Sequence, residues 1–243
     1  MKTLYVFILS IILSSCAKEQ MNDCFTATGI PATETRTITE FDSLVILRNI
    51  DVVLIEDTAN FIQLSGGQNL LEGIQTRIEN RILTLENTNR CHWVRKANNP
   101  IRAEVHSTRL RRIVHYGSGS IQTPQALLRD SLVFEFRDAA ANAQIKVNNR
   151  FIQIIQHSGN SDVWLEGNTE QLTVYLSDLC TLNAFELSAL QVFADQRSAA
   201  DCYVKGLDGL RLETWADGSI YYSGEGIVLG KYSRGQGTIS RIY

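Results

Sequence analysis

Three stretches decide the fold: His157-Ser-Gly-Asn-Ser-Asp-Val-Trp-Leu165, Ser198-Ala-Ala-Asp-Cys-Tyr-Val204 and Ala216-Asp-Gly-Ser-Ile-Tyr-Tyr222. Each opens with a turn of small and polar residues and runs into a strand of alternating character. One apolar position per stretch, followed outward, gives the column Ile121, Ile145, Val163, Phe185, Cys202, Ile220 and Ile239. A second gives Phe134, Ile154, Val174, Val192, Leu212 and Leu229. Both columns recur every 17 to 24 residues, so they share one period near twenty. A unit of that size with two short strands buries nothing alone. Stacked at the strand spacing of about 4.8 Å, such units line a continuous apolar interior. The pattern therefore predicts an all-β chain, a parallel β-helix of about 17–24 residues per coil, right-handed by the rule for parallel crossovers. A β-sandwich of hairpins is the alternative, but it does not explain the common register of the two columns.

Upstream the pattern is also β. Leu44 to Leu47, Ile50 to Ile55 and Phe61 to Leu64 read as strands, and Ile74–Ile78 and Ile82–Leu85 flank a hairpin turn at Asn80-Arg81. Only Gln68 to Gly73 has room for a helical turn.

The first twenty residues, MKTLYVFILSIILSSCAKEQ, carry an address. Lys2 precedes an apolar run from Leu4 to Leu13, too short for a permanent membrane span. Leu13-Ser-Ser-Cys16 resembles the bacterial lipobox, whose cysteine is diacylated and becomes the mature N-terminus. Each buried CH₂ of such a lipid contributes about 0.8 kcal/mol to membrane attachment. Ala17 follows Cys16, not the aspartate that signals inner-membrane retention, so the cell envelope at the outer membrane is the expected location, with the periplasmic or surface face left open. The expected organisation is a signal peptide over 1–15, a lipidated tether over 16–35 and one domain over 36–243.

The remaining cysteines, Cys24, Cys91, Cys180 and Cys202, permit three pairings in an oxidising compartment. Cys24–Cys91 is favoured, because it ties the mature N-terminus to the body; Cys180 and Cys202 read as buried thiols.

At this point the residues resemble a known family. Phe41-Asp-Ser-Leu-Val-Ile46, Ile50-Asp-Val-Val-Leu54, Gln68-Asn-Leu-Leu-Glu-Gly-Ile74, Ile82-Leu-Thr-Leu85 and Leu110 through Tyr116-Gly-Ser-Gly-Ser-Ile121 are similar to the putative auto-transporter adhesin, head GIN domain family of Bacteroidetes lipoproteins. Cys24 with Cys91-His-Trp-Val-Arg95 resembles a subgroup of it. The likeness runs from about residue 36 to the C-terminus and rests on turns and strands, not on a catalytic signature. It implies a β-helical, secreted or lipid-anchored protein with an adhesin label, itself an analogy from fold. No catalytic residues come with it.

Function is less legible. With 23 basic and 26 acidic side chains and a net charge of -3, the chain is not built as a nucleic-acid binder. No zinc spacing, GxSxG or phosphate loop is present, so no catalysis, cofactor or metal is expected. A polysaccharide lyase or hydrolase on the same scaffold is the alternative, and it requires acidic and basic groups converging in one groove across adjacent coils. Asp138, Asp178, Asp195 and Asp217 follow the second column as turn formers. Arg90, Arg95, Lys96, Arg102, Arg109, Arg111 and Arg112 face only Glu104 within residues 90–112; Arg109 and Arg111 share one face, Arg112 the other. Beside the first column, Trp164, Tyr203 and Tyr221 share an outward row with Lys146 and Glu186. Beside the second, Ile155, Tyr175 and Phe193 form an apolar strip. These six apolar and aromatic residues are the candidate binding surface, for an envelope glycan or a surface protein.

Overall fold

The computed structural model describes residues 28–89 and 100–242. Cys16, Cys24, Cys91, Arg90, Arg95 and Lys96 lie outside those residues, and with them the lipid anchor and the favoured disulfide.

The N-terminal part is a mixed cap. Strands β1 (Pro31–Thr37) and β7 (Arg102–Ser107) both pair antiparallel with β4 (Phe61–Gly67). Ordered strand thus begins at Pro31, inside the segment read as tether, because Ala32 and Arg36 register against Gly66 and Ile62. A short helix, α1 (Gln68–Leu71), buries Leu70 and Leu71 where the one helical turn was expected. Strands β5 (Ile74–Glu79) and β6 (Ile82–Asn87) form the hairpin; Asn80 (φ 50°) and Arg81 (φ 64°) take the left-handed geometry that a tight two-residue turn requires. Strand β2 (Ser43–Leu47) lies parallel between β6 and β8 (Arg112–Gln122), and β3 (Asp51–Glu56) parallel between β7 and β8.

From β8 onward every pairing is parallel. The strands are β9 (Ser131–Gln156), β10 (Asp162–Asp178), β11 (Thr181–Ser198), β12 (Cys202–Thr214), β13 (Ile220–Ser223), β14 (Ile227–Ser233) and β15 (Ile239–Arg241). Fully extended, the 17 residues of β10 would span about 55 Å. Yet Thr181 registers directly against Asp162, so each long strand must bend and return. The result is a solenoid of about six turns. We refer to the part of each coil around Trp164 as its first wall and the part around Tyr175 as its second. Near the bend, Gly167 (φ 112°) brings its backbone so close that a Cβ would sit 2.0 Å from the Val147 carbonyl oxygen. The parallel ladders exclude the β-sandwich.

Both interior columns are present, and several of the residues expected in them lie elsewhere. The true first column is Val52, Ile121, Ala143, Val163, Leu182, Cys202, Ile220 and Ile239, all buried. Phe185 is not part of it; it is half-buried on the outside, and Leu182 takes its place. Ile145 is buried, two residues from the row. In the second column Ala194, not Val192, lies between Val174 and Leu212; Val192 stacks in the adjacent buried row with Leu172 and Leu210. Leu229 is 66% exposed, because a register shift after Leu210 sets Lys231 opposite Leu212.

One corner repeats a polar device. Gln196, Thr214 and Ser233 are in register, and each side chain donates to a carbonyl four residues on: Gln196 to Ala200, Thr214 to Gly218 (2.9 Å) and Ser233 to Gly237 (2.7 Å). Turn carbonyls that the ladder leaves open are thereby satisfied. An earlier coil places His115 in the equivalent column, between Ile46 and Phe136, fully buried and with neither ring nitrogen hydrogen-bonded among the described residues.

Cys180 and Cys202 are free, buried thiols, as expected. Burial pushes the Cys202 thiol up to about 12, so it packs as a small apolar group.

Candidate functional site

The first outer wall carries the row Gln122, Gln144, Trp164, Asn183, Tyr203, Tyr221 and Ser240. Trp164, Tyr203 and Tyr221 are therefore aligned. Lys146 and Glu186 are not in this row; both register with Glu166 in a parallel one, and the amides of Gln144 and Asn183 stand in their places. Tyr203 and Tyr221 stack at 5.1 Å with planes 17° apart, and Phe185 meets Tyr203 edge-on at 5.3 Å. Burial, then the negative charge of Asp201, raises the Tyr203 hydroxyl's pKa.

Trp164, 40% exposed, borders a cleft of about 320 Å³. Gln144 and Asn183 line it with Lys146, Glu166 and Glu186, which are in register across three coils. Lys146 Nζ is 2.6 Å from Glu166 Oε1. The cleft thus holds one flat ring, two amides that both donate and accept, two carboxylates and an ammonium.

The second outer wall differs from the expected strip. Ile155 and Tyr175 are neighbours in register, but the next position is Asp195. Phe193 sits one row away, between Thr173 and Arg211, beside a shallow depression of about 250 Å³ that includes Asp195 and Glu213. Sequence reading missed what dominates this wall. The Arg197 guanidinium lies 5.6 Å from the Tyr175 ring and 5.2 Å from the Trp215 ring, and Arg234 covers Trp215 at 4.6 Å. Arg197 also donates two hydrogen bonds to Asp195, at 3.0 and 2.9 Å. Arg197, Trp215 and Arg234 are each one coil apart in sequence, so the twenty-residue period, applied to polar positions, would have found them.

Further along the same wall Glu135 is buried. It accepts hydrogen bonds from Arg112 and from Arg137, and its carboxylate is 3.1 Å from His157 Nε2. Burial alone would raise its pKa; the two guanidinium groups outweigh it and hold the carboxyl below its usual value.

The acidic turn residues do not form one row. Asp138 (φ 46°) and Asp178 (φ 62°) are turn formers: Ser158 donates to Asp138 at 2.7 Å, and the Gly159 amide to Asp178 at 2.8 Å. Asp195 belongs to the wall. Among the described residues no group of three or more His, Cys, Asp or Glu side chains is placed to hold a metal. No helix there is long and apolar enough to cross a membrane.

Comparison with known proteins gives the fold relatives. A putative adhesin from Bacteroides fragilis is 20% identical, with 88% of this chain and 97% of that chain covered and a TM-score of 0.78. A putative adhesin from Parabacteroides distasonis is 16% identical (88% and 98% covered, TM-score 0.67). Another protein of that organism, described as a putative lipid binding protein, is 15% identical (89% and 98%, TM-score 0.59). At such identities the likeness concerns fold. No curated protein matches the chain. The sequence profile described as "Putative auto-transporter adhesin, head GIN domain" matches residues 40–226, from just before β2 to just before β14. By that match the chain belongs to the head GIN domain family of putative auto-transporter adhesins.

Proposed function

We propose that the protein is a non-catalytic, adhesin-like binder, anchored in the outer membrane through a lipid on Cys16, and that it recognises an envelope glycan at the Trp164 cleft. The observation that carries this reading is the cleft itself: an exposed indole face beside Gln144, Asn183, Glu166 and Glu186. A sugar ring presents an apolar face to the indole and hydroxyl groups to amides and carboxylates. Tyr203 and Tyr221 extend the same row, which suits a chain of sugars rather than one.

A polysaccharide-processing enzyme is the second reading, because Lys146, Glu166 and Glu186 do converge in one groove across adjacent coils. Against it, the Lys146 and Glu166 side chains are 44% and 48% exposed, whereas acid–base groups are tuned by burial. The test is a glycan array with the full chain and with Trp164→Ala. Retention should fall roughly tenfold or more, with the thermal midpoint little changed. Equal retention by both proteins overturns the cleft reading, and shortened glycan recovered from the array favours the enzyme. For the anchor, Cys16→Ser should leave the membrane fraction; if it still sediments with membranes after a high-salt wash, the lipid reading is wrong.

A further inference from the structure

A second concavity, of about 550 Å³, shares no lining residue with the Trp164 cleft and lies between the turn that joins β7 to β8 and the loop that joins β8 to β9. Thr108, Arg109 and Arg111 form one side; Leu128, Arg129, Asp130 and Ser131 form the other. Both sides are fixed by backbone bonds. The Arg111 amide donates to Asp42 O at 2.8 Å and its carbonyl accepts from Val133 N at 2.8 Å. The Asp130 carbonyl accepts from Arg150 N (3.2 Å) and Phe151 N (2.9 Å).

Three guanidinium groups therefore share one groove, and the carboxylates around them are largely engaged. Arg129 Nε faces Glu56 at 3.1 Å. Glu40 is divided between Arg81 at 3.7 Å and Arg109 at 3.8 Å. Asp42 accepts from Arg81 Nε at 2.8 Å. Asp130, the one acid lining the groove among the described residues, is 3.7 Å from Arg150. Arg111 is exposed and has no carboxylate within ion-pair distance among the described residues. The groove keeps an excess of positive charge on rigid supports.

We propose that this groove binds a phosphate monoester. Arginine forks match oxyanions, and a tetrahedral group with three free oxygens can engage two or three forks at once, where a carboxylate is filled by one. Its charge of about −1.5 to −2 at neutral pH answers the groove's excess of positive charge. The groove is larger than phosphate alone, so the carrier of the phosphate occupies it too. That carrier is either a soluble sugar phosphate or a lipid headgroup.

The test uses the full chain, Arg109→Gln, Arg111→Gln and their double variant, with Arg241→Gln in β15, at the far end of the strand order, as control. Probes are inorganic phosphate, glucose 6-phosphate, and phosphatidylcholine vesicles with and without phosphatidic acid. Binding is expected to fall roughly tenfold for each groove arginine removed, since charge-assisted bonds are the strong ones. It should weaken with added salt and as pH drops through about 6, where the monoester takes up a proton. Glucose 6-phosphate binding assigns a soluble source, and binding only to phosphatidic acid vesicles assigns a headgroup; both support the proposal. Binding that is absent for every probe, equal in the double variant, or matched by polyglutamate overturns it. Because Arg109 and Arg111 do not line the Trp164 cleft, a loss of binding confined to their variants is separate from the glycan reading, and either can fail without the other.

Discussion

Val174→Asp should abolish the folded solenoid, while Thr173→Asp one residue away should leave it intact. Val174 is 2% exposed and packed in register between Ile154 and Ala194. A carboxylate there has no partner and costs several kcal/mol, against a total stability of about 5–15 kcal/mol. Each coil is stabilised only by its neighbours, so damage in a central coil separates the stack into two weaker parts. Thr173 lies on the outer face between Gln153 and Phe193, where a carboxylate stays hydrated. Circular dichroism and thermal melts of the two variants decide the matter; equal loss of strand signal would contradict the register.

Mild acid should weaken the wild-type protein through His115. Burial lowers its pKa from 6.5 to about 4. The unfolded chain takes up this proton as pH falls past 6.5, whereas the folded protein resists it until about 4. Between those values each drop in pH favours the unfolded state, and the contribution lost on reaching pH 4 is about 3 kcal/mol. Glu135 adds to this further down: its carboxyl is held below the usual value of 4.5, so the stability it gives is full above that value and fades as pH falls through its folded pKa. His115→Leu should flatten the profile between pH 6.5 and 4 without loss of stability at neutral pH, since two buried nitrogens without partners disappear. Urea melts across that range measure it; an unchanged slope in His115→Leu would show that other groups carry the acid response.

The period and the parallel stacking were readable because Val163, Cys202, Ile220 and Ile239 sit 18 to 20 residues from their register partners in the next coils. The errors share one cause. A column drawn by hydrophobicity prefers Phe185 to Leu182 and Val192 to Ala194, because it sees size, not phase. The phase is reset by irregularities between Trp164 and Glu166, Ala184 and Ala189, and Leu210 and Arg211, none of which leaves a residue signature. Phe193 followed from the misplaced Val192: Ile155, Tyr175 and Asp195 keep a constant register of twenty residues, two positions past Phe193. The groove of Arg109, Arg111 and Arg129 was half visible. Arg109 and Arg111 stood out in a basic run, but Arg129 approaches from a loop whose path only the folded coil defines.

The parallel ladders also fix how the molecule responds to force. Its inter-coil hydrogen bonds point along the solenoid axis, so tension between the two ends strains the outermost ladder first and spares those beneath. Coils should peel off singly, as a zip opens, rather than slide past one another together. Each one released from the C-terminal end frees 18 to 20 residues, about 65 Å of extended chain, before the next is loaded. A tug on such a molecule is absorbed as added length, coil by coil, while the remainder stays wound.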